Sequence, residues 1–517
     1  MIMKANKQIG FIYKDNESID KILKDGEVVF EKGFLREKTS TTLPITFGGV
    51  GKDLKDYRVY GNTVQNGTPT PDTPIDMISC GDKTKNLFDK ENYNYITAYL
   101  NASNIITNSE GATIFYIKCE PNTTYTVSKT KLFTNDRFCL FDTANIPQIN
   151  DSALSYVGTK SGENISTSLT ITTSNNANYL CAFVQASPSR PSATRNDLAE
   201  TIQIEKNSTA TSYEPYGYKI PVNVRSDNLF DKSNTTNGYY IDSNGDLTSH
   251  NSFAYSDYIQ IKENTVYSYS GSTGLANYAR KCAWYDSSKN LIRVDNFGNS
   301  GQLTSPNNAK YFRTSVRIIA SGTQDTDIGT YLLVEGSTTP SKYIPYYNET
   351  TNIYLDEPLR KIDEYSDYID FINGKVVRNI TEFILDGART TNLYFNSASQ
   401  NTSRIQYTSN PRGGSNDTNI FCNQLLGKLN YNPDIEGVYV NNASIVLRIN
   451  KDKIGKSITT ANEYFSVNPL ILNYILATPT EESITLPNVS TVEGNNTLNI
   501  ETEITPSQVY IKYKSSE

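Results

Sequence analysis

The chain has 517 residues, 37% of them hydrophobic, and its 48 basic and 55 acidic residues give a net charge of −7. Because these charges are interspersed and form no basic block, the composition argues against nucleic acid and against an anionic membrane surface as partners. No apolar stretch reaches the roughly 18 residues of a membrane-spanning helix, which argues against membrane insertion. The 37 tyrosines and 19 phenylalanines favour an all-β fold of several domains, because aromatic residues suit half-buried strands.

Residues 1–67 are predicted to form a small N-terminal β region. Asp25-Gly26 stands between two apolar runs, which is a strong hairpin signal, and Tyr57–Gly61 alternates as a strand does. The first residues lack the apolar core and cleavage site of a signal peptide, so we expect a protein made in the cytoplasm. Three prolines between Thr68 and Pro74 predict a stiff, extended connector over residues 68–85.

A duplicated landmark dominates the middle of the chain. Asn86-Leu87-Phe88-Asp89-Lys90 recurs as Asn228-Leu229-Phe230-Asp231-Lys232, and Tyr213-Glu214-Pro215-Tyr216 recurs as Tyr343-Ile344-Pro345-Tyr346. Three further matches keep the same order between these landmarks. So long a period marks whole domains rather than solenoid units. Residues 86–222 and 226–350 are therefore predicted to be two related antiparallel β-sandwiches or jelly rolls.

The repeat's landmarks end before residue 362, and a third β domain is predicted over residues 362–480. Asn373-Gly374 predicts a hairpin turn at its start, and Thr460–Ser466 is the one short helix that the pattern favours. Residues 481–517 are predicted to be a strand-rich tail that ends in the alternating segment Val509–Tyr513.

Catalytic and metal-binding patterns find little support in the sequence. His250 is the only histidine and has no Gly-x-Ser-x-Gly companion, so neither a serine triad nor a Cys/His zinc site is expected. Asp242–Asp246 has the spacing of a calcium loop, but Asn244-Gly245 between apolar runs predicts a hairpin turn. Asp142 and Asp286 recur at equivalent positions, which favours a framework role. We therefore expect no enzyme activity, no catalytic residue, no bound metal and no cofactor.

Sugar binding is the function that the residue types allow. Trp284 is the only tryptophan, replaces Leu140 of the first repeat and stands next to Tyr285, so alternation directs the two rings to opposite faces of one strand. The candidate ligand-binding residues are Trp284, Tyr285, Tyr311, Arg313 and Arg317. Flat rings can stack on sugar C–H faces, and arginines can donate to hydroxyls. The alternative interpretation is that Trp284 packs in the core and the other residues form an ordinary solvated face.

Several segments together resemble tail and baseplate proteins of phages, or of phage-tail-like particles, of Gram-positive bacteria. They are Tyr57–Pro71, the two Asn-Leu-Phe-Asp segments, Glu205–Gly217, Asp370–Val377 and Ala477–Glu482. The duplicated segments are similar to the carbohydrate-binding-module-like jelly rolls of that group. The individual motifs carry no chemistry, but they occur in the same order along nearly the whole chain.

This resemblance implies a non-enzymatic receptor-binding protein of the virion, assembled in the host cytoplasm. Its N-terminal region would attach to other tail or baseplate proteins, and its β-sandwiches would bind host cell-wall polysaccharide or teichoic acid. A homotrimer is the expected oligomer. Three alternatives stay open at this point: a purely structural baseplate protein, a cell-wall glycan depolymerase and a bacterial surface adhesin.

Overall fold

The computed structural model describes most of the chain as short antiparallel strands. The described residues are 13–14, 17–18, 21–24, 27–31, 34–51, 54–109, 112–129, 137–159, 167–185, 195–200, 202–271, 279–319, 327–388, 393–396, 401–408, 419–427, 434–441, 444–486 and 489–515. They form two compact units, one within residues 1–80, 221–353 and 359–517 and the other within residues 81–220 and 354–358. The predicted all-β fold of several domains is confirmed.

The N-terminal region consists of strands, as predicted, and the bounds are as follows: β1 Tyr13–Lys14, β2 Glu17–Ser18, β3 Lys21–Lys24, β4 Glu27–Glu31, β5 Phe34–Ser40, β6 Ile45–Val50, β7 Leu54–Tyr60, β8 Thr63–Gln65 and β9 Met77–Ser79. Strands β3 and β4 pair antiparallel, whereas the predicted Asp25-Gly26 turn between them lies outside the described residues.

The proline-rich segment is not an extended spacer. Thr70 and Thr73 pair with each other across a tight turn. Asp72, in that turn, forms an ion pair of 2.6 Å with Lys453, and the hydroxyl of Tyr464 donates to the carbonyl of Pro71. The three prolines remove backbone donors but do not prevent the chain from turning. The contacts of Asp72 and Pro71 with Lys453 and Tyr464 hold this turn against the third β region.

The first repeat forms a β-sandwich. Its elements are β10 Asp82–Lys83, β11 Asn94–Ile96, β12 Ala98–Leu100, β13 Ile106–Asn108, β14 Thr113–Lys118, β15 Thr124–Lys129, β16 Arg137–Thr143, β17 Tyr156–Gly158, β18 Ser168–Thr172, β19 Tyr179–Gln185, α1 Arg195–Ala199 and β20 Ile202–Glu205. One sheet has the order β11-β14-β19-β16-β17 and the other β18-β15-β20. Apolar residues of both sheets, including Phe138, Leu140 and Val127, form the core.

The second repeat has the same arrangement, which confirms the predicted pair of related sandwiches. Its strands are β21 Tyr218–Ser226, β22 Thr235–Ile241, β23 Leu247–Ser256, β24 Ile259–Gln260, β25 Val266–Ser270, β26 Lys281–Tyr285, β27 Leu291–Asn296, β28 Ser300–Thr304, β29 Tyr311–Arg317, β30 Leu332–Glu335 and β31 Asn348–Leu355. The larger sheet has the order β22-β23-β29-β26-β27, with β24 also on β29, and the smaller has β28-β25-β30. The Asn244-Gly245 turn joins β22 to β23, as predicted.

Most of the remaining strands belong to a seven-stranded or a four-stranded sheet, while β32 and β33 pair with each other and β42 joins a five-stranded sheet. The elements are β32 Lys361–Ile362, β33 Tyr365–Ser366, β34 Tyr368–Asp370, β35 Lys375–Leu385, β36 Leu393–Asn396, β37 Thr402–Thr408, β38 Ile420–Cys422, β39 Gly437–Asn441, β40 Ser444–Asn450, α2 Lys451–Ile454, α3 Ile458–Val467, β41 Leu470–Ser483, β42 Glu493–Ile500 and β43 Gln508–Ser515. The Asn373-Gly374 hairpin and the helix predicted at Thr460–Ser466 are both confirmed.

The seven-stranded sheet has the order β38-β41-β35-β34-β7-β43-β5. It combines strands of the N-terminal region, the third β region and the C-terminal tail, which were predicted to be separate. Strands β5 and β7 come from the N-terminal region, and β43 comes from the tail. Strand β42 pairs with β6 and with residues 222–226 of β21. The predicted domain boundaries themselves stay predictions. None of the helices in the described ranges is long and apolar enough to span a bilayer.

Candidate functional site

Trp284 and Tyr285 lie on opposite faces of the larger sheet in the second sandwich, as strand alternation predicts. Trp284 is fully buried in the core, where its ring lies 4.7 Å from Phe312, and its Nε1 donates to Asp295 at 2.7 Å. Tyr285 belongs to a different cluster, with Ile241. The indole therefore has no face accessible to a ligand, and Trp284 is a core packing residue in this structure.

The opposite face of this sheet carries a compact group of rings around one arginine, which we call the tyrosine–arginine face. Its members are Tyr255, Tyr258, Tyr285, Tyr311 and Arg313. The ring of Tyr258 lies 5.0 Å from that of Tyr285 and 5.8 Å from that of Tyr311. The Arg313 guanidinium carbon lies 4.3 Å from the Tyr255 ring centre and 4.5 Å from that of Tyr258. Such contacts each contribute roughly 0.5–2 kcal/mol.

The strand register explains why these side chains meet. Tyr311 and Arg313 are two residues apart on β29, so they point to the same side. Tyr285 pairs with Tyr311 across β26 and β29. Tyr255 lies on β23, which flanks β29 on its other side, and Tyr258 immediately precedes β24, which also pairs with β29. Three neighbouring strands therefore supply the face, and β29 lies at its centre.

Two cations lie over the rings without an acidic partner. Lys289 Nζ lies 4.6 Å from the Tyr258 ring centre, in the Asp286–Asn290 turn, where Lys289 has a positive φ of 64°. Arg313 donates through Nε to the carbonyl of Ser256 at 3.0 Å. Among the described residues, no carboxylate lies within ion-pair distance of Arg313 or Lys289. Both cations therefore retain N–H donors that a ligand can use.

Tyr285 is the most buried ring of the group, with 7% of its surface exposed. Burial raises the pKa of its hydroxyl, and the positive charge of Arg313, together with a hydrogen bond to it, partly offsets this effect. The hydroxyl is therefore neutral near pH 7 and acts as a hydrogen-bonding group. The other three tyrosines and Arg313 are half-buried, so packing restricts their orientation while part of each side chain faces solvent.

Arg317 does not join this group. It ends β29 at the far side from Tyr311, is only 6% exposed, and donates through Nε to the carbonyl of Ile319 at 2.7 Å. Of the five predicted residues, the structure thus brings together Tyr285, Tyr311 and Arg313, and it separates Trp284 and Arg317 from them. Whether any of the five binds a ligand stays a prediction.

Sequence reasoning missed Tyr255, Tyr258 and Lys289. Tyr258 matches Tyr116 of the first repeat, so repetition favoured a framework role. Tyr255 carries a usable signal, because a tyrosine at the end of the alternating strand β23 has a definite face. Lys289 has none, because its position depends on a turn between β26 and β27 and on the rings that this turn approaches.

The first sandwich covers part of the equivalent face with apolar residues. Tyr179 matches Tyr311, and two residues further on Cys181 stands where the second repeat has Arg313. Cys181 is fully buried in a cluster with Phe141 and Phe183, which the hairpin of β12 and β13 covers through residues such as Leu100. Tyr116 and Tyr179, the counterparts of Tyr258 and Tyr311, remain half-buried there with ring centres 6.0 Å apart, so the two faces differ chiefly in that Cys181 replaces Arg313.

Comparisons with known proteins leave the family open. No protein-family model matches the chain, and no curated protein matches it. Among solved structures, the chain is weakly similar to the VP2 subviral particle of infectious bursal disease virus, with 8% identity, a TM-score of 0.08 and coverage of 94% of this chain and 81% of the other. The Gt strain of the same virus gives 8% identity, a TM-score of 0.08 and coverage of 94% and 82%. Similarity this low supports no inference about fold or function.

Proposed function

We propose that this protein is a non-enzymatic tail-tip or baseplate component of a virion that binds host cell-surface glycan through its second β-sandwich. The observation that carries the proposal is the tyrosine–arginine face, in which Arg313 packs on the rings of Tyr255 and Tyr258 and Lys289 lies over Tyr258. The resemblance of the sequence to phage tail proteins supplies the biological setting. In that setting the N-terminal β region attaches the protein to other tail components.

The chemistry of the face suits a sugar. A pyranose presents C–H groups on one side, which pack on a tyrosine ring, and hydroxyls at its edge, which accept from Arg313 and Lys289. Tyrosine and arginine recur as the residues that dominate binding energy in interfaces. Because contacts between the rings restrict the side chains, binding costs less conformational entropy than on an unpacked surface. A single shallow site of this kind is weak, and a trimer would strengthen adhesion through multivalency.

A purely structural baseplate role is the second candidate, and one observation favours it. Protein interfaces are enriched in tyrosine and arginine just as sugar sites are, so the same face could contact another subunit. The first sandwich, which has the buried Cys181 in place of Arg313 on the equivalent face, fits a spacer in either case. A substitution on the face changes polysaccharide binding if the face binds glycan, and it changes the oligomeric state if the face contacts another subunit. The two roles can therefore be distinguished by experiment.

The test uses purified full-length protein and immobilised wall polysaccharides from a panel of Gram-positive bacteria. Tyr311→Ala and Arg313→Gln are each expected to weaken binding by at least about tenfold. Tyr179→Ala is the matched control, because Tyr179 occupies the equivalent position in the first sandwich. Light scattering measures the oligomeric state of each variant in parallel.

The glycan proposal is abandoned if the wild type binds no wall fraction, or if the two face variants bind as well as Tyr179→Ala. A change of oligomeric state in the face variants, with no polysaccharide bound by the wild type, establishes the structural role. Release of reducing sugar from a bound polysaccharide would show an enzyme instead.

A further inference from the structure

The second sandwich contains a cavity of about 260 Å³ beside the tyrosine–arginine face. It lies where the end of β21, the Asn-Leu-Phe-Asp segment, the start of β24 and residues 346–348 come together. Its wall includes Arg225, Asp231, Asn234, Asp257 and Gln260. Tyr258 belongs to both the cavity and the tyrosine–arginine face, whereas Arg313 does not line the cavity.

Several polar groups of this cavity have no partner within the described residues. The side chains of Arg225, Asn234 and Gln260 make no hydrogen bond or ion pair there. Asp231 accepts from Ser233 through Oδ1 only. Asp257 likewise accepts through Oδ1 alone, from the backbone N–H of Tyr258 at 2.8 Å. The wall therefore offers donors and acceptors that the fold itself leaves unused.

The first sandwich satisfies the equivalent groups internally. Asp89 corresponds to Asp231 and Asn92 to Asn234. The amide of Asn92 donates to Asp89 Oδ2 at 3.2 Å, so this pair is joined. In the second sandwich the corresponding amide and carboxylate oxygen make no such bond, although both residue types are kept. As a result, the amide of Asn234 and the Oδ2 of Asp231 are available to a ligand in the second sandwich, whereas Asn92 and Asp89 bond to each other in the first.

Size, charge and aromatic content restrict what the cavity can hold. Its volume is below the roughly 300–1,000 Å³ of pockets for drug-sized ligands, so one six-membered ring is a suitable occupant. The lining includes one cation, Arg225, and two carboxylates, those of Asp231 and Asp257, so the wall carries no excess positive charge to hold an anion. Tyr258 and Tyr346 supply rings for an apolar face.

We propose that this cavity binds a single neutral sugar unit with neighbouring hydroxyls. Arg225 and the amides of Asn234 and Gln260 donate to hydroxyl oxygens, while the free carboxylate oxygens of Asp231 and Asp257 accept from hydroxyl protons. The site shares Tyr258 with the tyrosine–arginine face, and it binds free monosaccharide whether or not that face binds a polymer.

The test measures monosaccharide binding to the full-length protein by saturation-transfer NMR and calorimetry. The probes are glucose, galactose, rhamnose, N-acetylglucosamine and N-acetylgalactosamine, with glucose 6-phosphate and glucuronate as charged counterparts. At least one neutral sugar is expected to bind with a Kd of roughly millimolar order, and the charged counterparts more weakly. Arg225→Gln and Asn234→Ala should each weaken binding by about tenfold.

A matched variant in the first sandwich is the control. Asn92→Ala, at the position equivalent to Asn234, should change monosaccharide affinity by less than about twofold. If no neutral sugar in the panel binds at millimolar concentrations, or if Asn234→Ala binds as the wild type does, the proposal is wrong. Because Asn234 is exposed, Asn234→Ala should fold normally and still tests the proposal if Arg225→Gln fails to fold. Loss of polysaccharide binding in Arg313→Gln with monosaccharide binding intact would separate the two sites.

Discussion

Asn228 donates its side-chain amide to the carbonyl of Ile344 at 3.0 Å, and Asn86 makes the same bond to the carbonyl of Glu214 at 3.1 Å. In each repeat the first residue of the opening landmark thereby holds the buried second residue of the closing Tyr-x-Pro-Tyr. The Asn228 Oδ1 also accepts from the backbone N–H groups of Phe230 and Leu333. In each repeat, buried hydrogen bonds of this asparagine therefore join the opening motif to the closing motif.

We predict that Asn228→Ala destabilises the unit that contains the second sandwich by about 3 kcal/mol. The substitution leaves two buried backbone N–H groups and at least one buried carbonyl without partners. Denaturant unfolding of the purified protein measures the change. Asn237→Ala is the control, since Asn237 is exposed and should cost less than about 0.5 kcal/mol. Equal effects of the two substitutions would contradict this account of the motif.

A second prediction concerns Trp284, the only fluorophore of its kind in the chain. Because the indole is fully buried against Tyr267 and Phe312, its emission should be blue-shifted and poorly quenched by acrylamide. Bound sugar should leave the emission nearly unchanged, since no ligand contacts the ring directly. Emission at the wavelength of free tryptophan in water would show that the ring is exposed.

Replacing Trp284 by leucine, the residue at the equivalent position of the first repeat, tests how much the packing of the indole contributes to stability. Trp284→Leu is expected to destabilise the protein by about 3 kcal/mol, because a cavity forms beside Phe312 and Asp295 loses a donor. Tyr285→Phe, which changes the neighbouring ring on the other face, removes a hydroxyl but no packing volume and should cost less. Thermal unfolding followed by circular dichroism compares them, and a smaller loss for Trp284→Leu would be evidence against the packing role.

A fourth prediction is a pH dependence that arises at Asp367. This carboxyl is fully buried and accepts from the backbone N–H groups of Arg360, Asn379 and Ile380, yet burial raises its pKa to about 6, against the opposing effect of Arg378. A carboxyl whose folded pKa exceeds its unfolded value near 3.9 stabilises the fold at low pH. That contribution is lost as the pH rises from about 4 to about 6.

The contribution of Asp367 should amount to at most about 3 kcal/mol over this window. Asp367→Asn removes it, so the difference in unfolding free energy between wild type and variant should change between pH 4 and pH 7 in favour of the variant. Asp363→Asn is the matched control, because Asp363 is exposed and its φ of 51° suits asparagine as well as aspartate. A difference that is constant with pH would contradict the raised pKa.

The sequence could predict those parts of the fold that depend on local patterns and on the duplication. The repeat gave two sandwiches of the same design, and alternation placed Trp284 and Tyr285 on opposite faces. Which of the two rings faces the core depends on contacts with other strands, so it could not be predicted from β26 alone. The candidate site was predicted only in part for the same reason, since Tyr258 and Lys289 reach it through loops that pack against β29.

The seven-stranded sheet has a consequence for the order in which the chain can fold during synthesis. Strands β5 and β7 are made early, but β43, which is made later than every other strand of this sheet, lies between them and pairs with both. Neither early strand can complete its hydrogen bonds through the other, so each keeps an unpaired edge until residues 508–515 have left the ribosome. Non-local pairing of this kind slows folding and leaves strand edges open to aggregation. A nascent chain of this protein should therefore gain its full resistance to protease only after β43 is released.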